Sequence, residues 1–353
     1  MRKMFEKQKI DTYSEVKAYA LKGMLLDRKS IDSLISSKSL EEMVEKLSAS
    51  PYKEVINLIK PPFTATKIES ALRAHLALQY YQLGRWFPFS SVILAYFKRL
   101  IGWNLKIVIK AKLEGKAFDE IKDSIFLKAE EILKRRELIV KLMAASTLKE
   151  GIELLRGDPF YEPLKQALKE FEESKDHTIF DIYIDREVYN GIARVLTEKT
   201  DRRLKEAFET FIRHDIRTYN VLSILRAKAL DLPITTIEKL VVFIRRREIE
   251  AEKIRRLIRA RSVEEMVDII RRLGYVELGK IDSLHDLITF LEKRSLEKDY
   301  ELAKTTFYKE PTPAAVLAYL KLKEFEIENL SKIAFGIEFN LPREEIARKL
   351  ILF

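Results

Sequence analysis

Few residues of this chain stand where chemistry could begin. Asp176, His177, Asp181 and Asp185 are close enough in sequence to suggest a metal cluster, and His214–Asp215 could be read as a base with its orienting acid. Both readings are weak. Asp and His in a polar stretch are usually solvated, and the four histidines (His75, His177, His214, His285) are scattered without an HExxH pairing. His214–Asp215 falls where related segments carry Lys98–Arg99 and Lys323–Glu324, so it is expected to be surface charge. No two glycines lie within four residues of each other and no Gly-Lys-Ser/Thr occurs, which removes a P-loop and a dinucleotide cradle. No GxSxG elbow is present either. The chain has no cysteine, so a thiol nucleophile, a cysteine–zinc site and a disulfide framework are excluded, and a reducing compartment fits. The expectation is no catalytic residue, no cofactor and no metal.

Two polar sets remain. Arg245–Arg246–Arg247, with Arg255, Arg256, Arg259 and Arg261, could meet phosphate or an acidic protein, and is the candidate partner-binding set. The alternative is a solvated helix face answered by Glu248, Glu250 and Glu252. The second set is Asn104, Asn220 and Asn329. A polar residue inside an apolar helical pattern is normally paired with a neighbouring helix or loop, so the three are expected to be structural.

These asparagines belong to a pattern written three times. An aliphatic residue follows each one, and at plus four stand Val108, Ile224 and Ile333. At plus seven stand the small residues Ala111, Ala227 and Gly336, and at plus seventeen Ile121, Ile237 and Ile346. A second triplet precedes them in each copy: Ser39/Glu42, Thr147/Glu150 and Ser262/Glu265. These are capping boxes, in which hydroxyl and carboxylate each satisfy a backbone N–H at a helix start. Apolar residues then follow at helical spacing, and each segment ends near an aromatic: Tyr52, Phe160–Tyr161 or Tyr275. The repeat is roughly 110 residues, longer than the about 20–50 of a solenoid unit. Three small helical domains are expected, at 1–125, 126–239 and 240–353.

Of 353 residues, 47% are hydrophobic and 34% charged, with only 10 Gly and 10 Pro, which predicts an all-α chain with real cores. Within it, 65–83 reads as a buried helix, 174–185 as a loop with a short extended piece, and 236–260 as one long basic helix. Asp201 is the expected cap of the helix leading to Asp231–Leu232–Pro233. No signal peptide is expected, because MRKMFEKQKIDT has no apolar core. The most apolar uncharged run, Trp86 to Phe97, falls well short of the about 20 residues that span a bilayer, so a soluble protein is expected. The net charge of +10 favours acidic partners or reflects a thermophile's charged surface.

With these motifs in place, the chain resembles the C subunit of the archaeal A-type and bacterial V-type ATP synthases, a relative of the d subunit of the eukaryotic vacuolar enzyme. The carriers are the tyrosine-rich start Tyr13…Lys17–Ala18–Tyr19…Leu25–Leu26, the segment Gly157–Asp158–Pro159–Phe160–Tyr161, and Phe325–Glu326–Ile327–Glu328–Asn329–Leu330. Lys17 stands where Arg is usual, and the second asparagine helix, Ile216–Arg217–Thr218–Tyr219–Asn220, lacks the acid.

The resemblance implies three similar domains around a pseudo-threefold axis, forming a funnel. It implies a non-catalytic central-stalk subunit at the cytoplasmic face of the cell membrane. Its partners would be the membrane rotor ring and the central-shaft subunits of D and F type, between which it transmits torque. No nucleic acid is implied. Two rivals remain from the residues alone. One is a helical-repeat nucleic-acid-binding or scaffold protein, suggested by the charge but lacking aromatic–basic interleaving. The other is an unrecognised enzyme.

Overall fold

A computed structural model describes residues 13–197, 202–244, 248–275, 281–308 and 311–351. Among these residues every regular element is a helix and no strand occurs. The scarcity of Gly and Pro explains this, since little interrupts the 3.6-residue periodicity. In chain order the helices are α1 (13–22), α2 (Arg28–Ile35), α3 (Leu40–Ser48), α4 (Lys53–Ile56), α5 (Ala65–Gly84) and α6 (Ser90–Leu113). Next come α7 (Phe118–Ile121), α8 (Leu127–Ile132), α9 (Arg136–Ala144), α10 (Leu148–Glu153), α11 (Tyr161–Ser174), α12 (Thr178–Thr197) and α13 (Arg202–Ala229). The last are α14 (Ile234–Leu240), α15 (Glu248–Arg259), α16 (Val263–Arg272), α17 (Leu284–Thr306), α18 (Ala314–Glu338) and α19 (Arg343–Lys349). None is long and apolar enough to cross a membrane.

The described residues form two compact units: those up to Phe180 together with those from Tyr300 onward, and Asp181–Asp299. In the first, α18 lies antiparallel along α5. The Ala65 amide donates to Glu338 Oε1 at one end (3.0 Å), and Tyr319 Oη donates to Gln79 Oε1 toward the other (3.2 Å). α18 is buried on nearly every face, and Leu72, Leu76 and Leu83 of α5 are fully covered. Each such side chain contributes about 1.5–3 kcal/mol. α6 folds back on α5, with Tyr80 and Phe97 ring centroids 5.7 Å apart.

In the second unit the core is built from Val221, Ile224 and Leu225 of α13, Leu257 and Ile258 of α15, Ile270 of α16, and Leu287 and Leu291 of α17. These residues recur at spacings of three and four, so each helix turns one apolar stripe inward.

Two segments differ from the sequence expectation. Residues 174–185 are not a loop, because α12 begins at Thr178. Asp176 Oδ1 accepts from the Thr178 amide (2.9 Å) and hydroxyl (2.7 Å) as the chain enters that helix. The polar Ser174–Thr178 run is therefore a helix start, and the apolar residues after it face the core at helical spacing. Nor is 236–260 one helix. α14 ends at Leu240, Val241 is extended (φ −79°, ψ 138°), and α15 starts at Glu248. The break lies where Asn220 grips the backbone of Val242 (2.8 and 2.9 Å), a tertiary interaction invisible to local periodicity. Asp201 lies outside the described residues.

Candidate functional site: three clamps and a buried charge cluster

Each repeated asparagine is a two-point clamp on the backbone of a residue 22 positions ahead. Asn104 Nδ2 donates to the Phe126 carbonyl (3.3 Å) and its Oδ1 accepts from the Phe126 amide (2.9 Å). Asn220 holds Val242 in the same way at 2.8 and 2.9 Å, and Asn329 holds Ile351 at 2.8 and 2.7 Å. All three asparagines are buried. A side-chain amide carries a donor face and an acceptor face, and here both are matched by one residue's backbone.

What lies between asparagine and target is also repeated. Each helix ends in a residue at positive φ eleven positions on: Gly115 (70°), Asp231 (52°) and Asn340 (53°). Gly, Asp and Asn are the residues that tolerate this left-handed region. The next amide (Lys116, Leu232 or Leu341) then donates to the carbonyl of the small residue at plus seven, at 2.9, 3.0 and 2.8 Å. In the third copy Gly336 is required by close approach: a Cβ there would stand 2.6 Å from Ile346 Cγ1. Ile121, Ile237 and Ile346 close each corner from the short helix that follows, and all are buried.

The capping boxes form as expected, with one refinement. Ser39, Thr147 and Ser262 accept from the amides of Glu42, Glu150 and Glu265. The glutamates reach one residue further back than the cap, to the amides of Lys38 (2.8 Å), Ser146 (2.8 Å) and Arg261 (3.0 Å). The bond from the Lys38 amide holds the Glu42 carboxyl below its usual range, helped by Lys46.

Clamp and box meet across the repeat boundaries. Lys112, eight residues past Asn104, donates from Nζ to the carbonyls of Met143 (3.3 Å) and Ala145 just before the second box. Lys228, eight past Asn220, donates to the Ala260 carbonyl before the third (2.7 Å), and burial lowers its pKa. In the last copy the partner is the first box. α18 and α19 pack on α2 and α3, and Arg343 Nη2 donates to the Ser36 carbonyl (3.0 Å). The end of the chain thus completes the fold of its beginning. These lysines were not singled out from the sequence, although their equal offset from Asn was available as a signal.

The pair expected as surface charge and its counterparts in the other copies are not all at the surface. Lys323 and Glu326 are 2% and 4% exposed and paired at 2.8 Å. Tyr52 Oη donates to Glu326 Oε1 (2.6 Å), and Lys323 Nζ lies 4.3 Å from the Tyr52 ring centroid. Burial and the Glu326 charge raise the Tyr52 pKa, and burial with the Lys323 charge lowers that of His75 to about 4. Glu324 is held by Tyr80 Oη (2.6 Å) and Arg99 (3.2 Å). His214 is half-buried, 3.3 Å from the Ser295 carbonyl. Charges on a helix apolar all round, as α18 is, have nowhere to go but inward, and this was the missed signal. A further buried acid, Glu130, accepts from Asn104 and Arg135 (both 3.0 Å). Burial raises its pKa against the opposing effect of Arg135.

Arg245, Arg246 and Arg247 lie outside the described residues. Of their neighbours, Arg255 stacks 5.6 Å from the Phe243 ring centroid and pairs loosely with Glu252 (3.4 Å). Among the described residues no three His, Asp or Glu side chains converge on a metal-sized site.

The ATP synthase (C/AC39) subunit family matches residues 14–349. The chain belongs to this family. Three archaeal relatives, each named as the C subunit of an A-type ATP synthase, align along most of it. That of Methanocaldococcus jannaschii is 25% identical, over 96% of this chain and 86% of its own. That of Archaeoglobus fulgidus is 25% identical over 96% of both. That of Haloferax volcanii is 28% identical over 88% of this chain and 89% of its own. The boxes and the three asparagines lie inside the stretch that the family covers.

Proposed function

We propose that the chain is a non-catalytic central-stalk subunit of an A/V-type ATP synthase, coupling the membrane rotor ring to the central shaft and transmitting torque. The observation that carries this is family membership across residues 14–349. An all-helical chain with its polar groups committed to clamps, boxes and buried pairs agrees with it. Such a chain offers fixed surfaces and no arrangement for phosphoryl transfer among the described residues. The proposed partners are the proteolipid ring and shaft subunits of D and F type, and the proposed place is the cytoplasmic face of the membrane, held through the ring.

Three similar domains, 1–125, 126–239 and 240–353, around a pseudo-threefold axis belong to the same proposal. Its support is the threefold repetition of clamp, left-handed corner and box. Arg245–Arg247 are proposed as a partner contact on charge alone.

The test is reconstitution. Purified chain mixed with ring and shaft subunits should form a stable complex, and its removal should uncouple shaft from ring. Failure to bind either partner would sink the adaptor reading. The net charge of +10 gives a nucleic-acid reading one point of support, and a salt-sensitive gel shift with duplex or single-stranded probes would favour it instead.

A further inference from the structure

One end of the first unit carries a surface of unusual composition. α5 and α6 meet there through residues 85–89. Gly84 of α5 lies against Ile93 of α6, where an added Cβ would sit 3.1 Å from Ile93 Cγ2. α1 starts at the same end, since Ser14 Oγ donates to the Leu83 carbonyl (3.3 Å). The residues displayed are Trp86, Tyr81 and Leu94 from the helical hairpin and Tyr13 and Val16 from α1, all exposed, between 43% and 63%. Arg85 is exposed and lies between two rings, 4.5 Å from the Trp86 centroid and 5.7 Å from that of Tyr81.

From Ser70 to Leu113, along this hairpin, charge has one sign. No acid occurs between Glu69 and Glu114, while Arg73, Arg85, Lys98, Arg99, Lys106, Lys110 and Lys112 do. Arg73 and Arg99 are paired with Glu69 and Glu324, and Lys112 caps carbonyls. Lys110 faces Glu114 at 4.0 Å, and Arg85 at the tip and Lys98 one turn beyond Leu94 contribute to the local field. In α1, Glu15 is offset by Lys17, which lies 5.8 Å from the Tyr13 ring centroid.

We propose that this end, from Tyr81 to Leu94 with Tyr13 and Val16, docks on the headgroup layer of an anionic phospholipid membrane. Tryptophan and tyrosine with a polar edge settle at the boundary between headgroups and acyl chains. Arginine and lysine beside them meet lipid phosphate, and each adds attraction that salt weakens. Trp86 stands on the turn between two antiparallel helices, with Tyr81 on the last turn of α5 and Tyr13 on α1, the end of a helical hairpin rather than a groove. Such a shape suits a deformable surface better than a helix or strand partner. The stretch is too short to span a bilayer, so the contact is interfacial. Docking of this kind is independent of the adaptor role, because vesicles contain neither ring nor shaft.

The test uses the full chain and vesicles of phosphatidylcholine alone or mixed with phosphatidylglycerol. The chain's two tryptophans are Trp86 and Trp103, so Trp103→Phe leaves Trp86 as the sole indole reporter. Its emission should shift to the blue with the mixed vesicles and be quenched by brominated acyl chains. It should stay unchanged with phosphatidylcholine alone, and the shift should shrink as salt rises. Arg85→Glu should lower the vesicle-bound fraction at least about tenfold. Trp86→Ser should lower it while leaving helical circular dichroism intact. No shift with the mixed vesicles, or equal flotation of wild type and Arg85→Glu, would overturn the proposal. So would variants that float normally yet fail to bind a detergent-purified rotor ring, since the occupant would then be protein.

Discussion

Replacing Asn220 by Leu would leave the Val242 amide and carbonyl buried without partners. At the scale of a single residue this should cost about 1–3 kcal/mol in urea or thermal unfolding, with partner affinity little changed once folding is corrected for. Unchanged melting with lost binding would instead make the asparagine a contact residue. That a buried Asn must be paired is general and could be read from the sequence. That each pairs with the backbone 22 residues ahead could not, because it depends on the turn between them, which forms only in the folded chain.

His75 supplies a prediction with a sign. Its folded pKa of about 4 lies below the ordinary 6.5. Between those values the unfolded chain binds a proton that the folded chain refuses. Stability is therefore fully present above about pH 6.5 and declines as pH falls toward 4, by at most about 3 kcal/mol from this group. His75→Gln should flatten that part of the urea-midpoint profile. An identical slope in the variant would assign the acid sensitivity to other groups.

At the scale of elements, Gly336 tests the corner. Its counterparts are Ala111 and Ala227, so Gly336→Ala looks harmless by alignment of the repeats. Yet the added Cβ would press on Ile346, and the corner must open. A loss of about 1–3 kcal/mol is expected by denaturant titration. A neutral result would show that α19 shifts freely. On α18, Lys323→Met should cost about 3–5 kcal/mol, because Glu326 would keep a buried charge without its partner. Long helices and their boxes were legible in the sequence because capping and periodicity are local. The asparagine helix, its corner and its short follower helix were legible as a spacing, since the plus-seven and plus-seventeen positions mark where two helices touch. Tertiary decisions were not: the break after Leu240 and the inward-facing charges of α18 depend on segments far away in the chain.

At the scale of the molecule, the proposed role makes two demands. The isolated chain should neither bind nor hydrolyse ATP; saturable micromolar binding in calorimetry would contradict the adaptor reading. Changing Arg245, Arg246 and Arg247 together to Glu should leave helical content intact and weaken assembly with ring or shaft, most at low ionic strength. Wild-type assembly at every salt concentration would clear these arginines of a role.

The closure of the chain's last helices on its first has a bearing on how the protein is made. Tyr52 is translated long before its partner Glu326, 274 residues later, and α2 and α3 leave the ribosome well ahead of α18 and α19. The second asparagine helix and the box that follows it complete their unit earlier in elongation, but the first box segment must wait for α18 and α19 to emerge. Until then α2 and α3, whose Ile31, Leu34, Met43 and Leu47 are all buried in the finished protein, lack the packing of α18 and α19. A long interval between emergence and burial is where nascent chains recruit chaperones or aggregate. Ribosome-stalled chains ending before Asn329 should thus be cut by protease within residues 28–60 while Asp181–Asp299 resists, and release of the full chain should protect both.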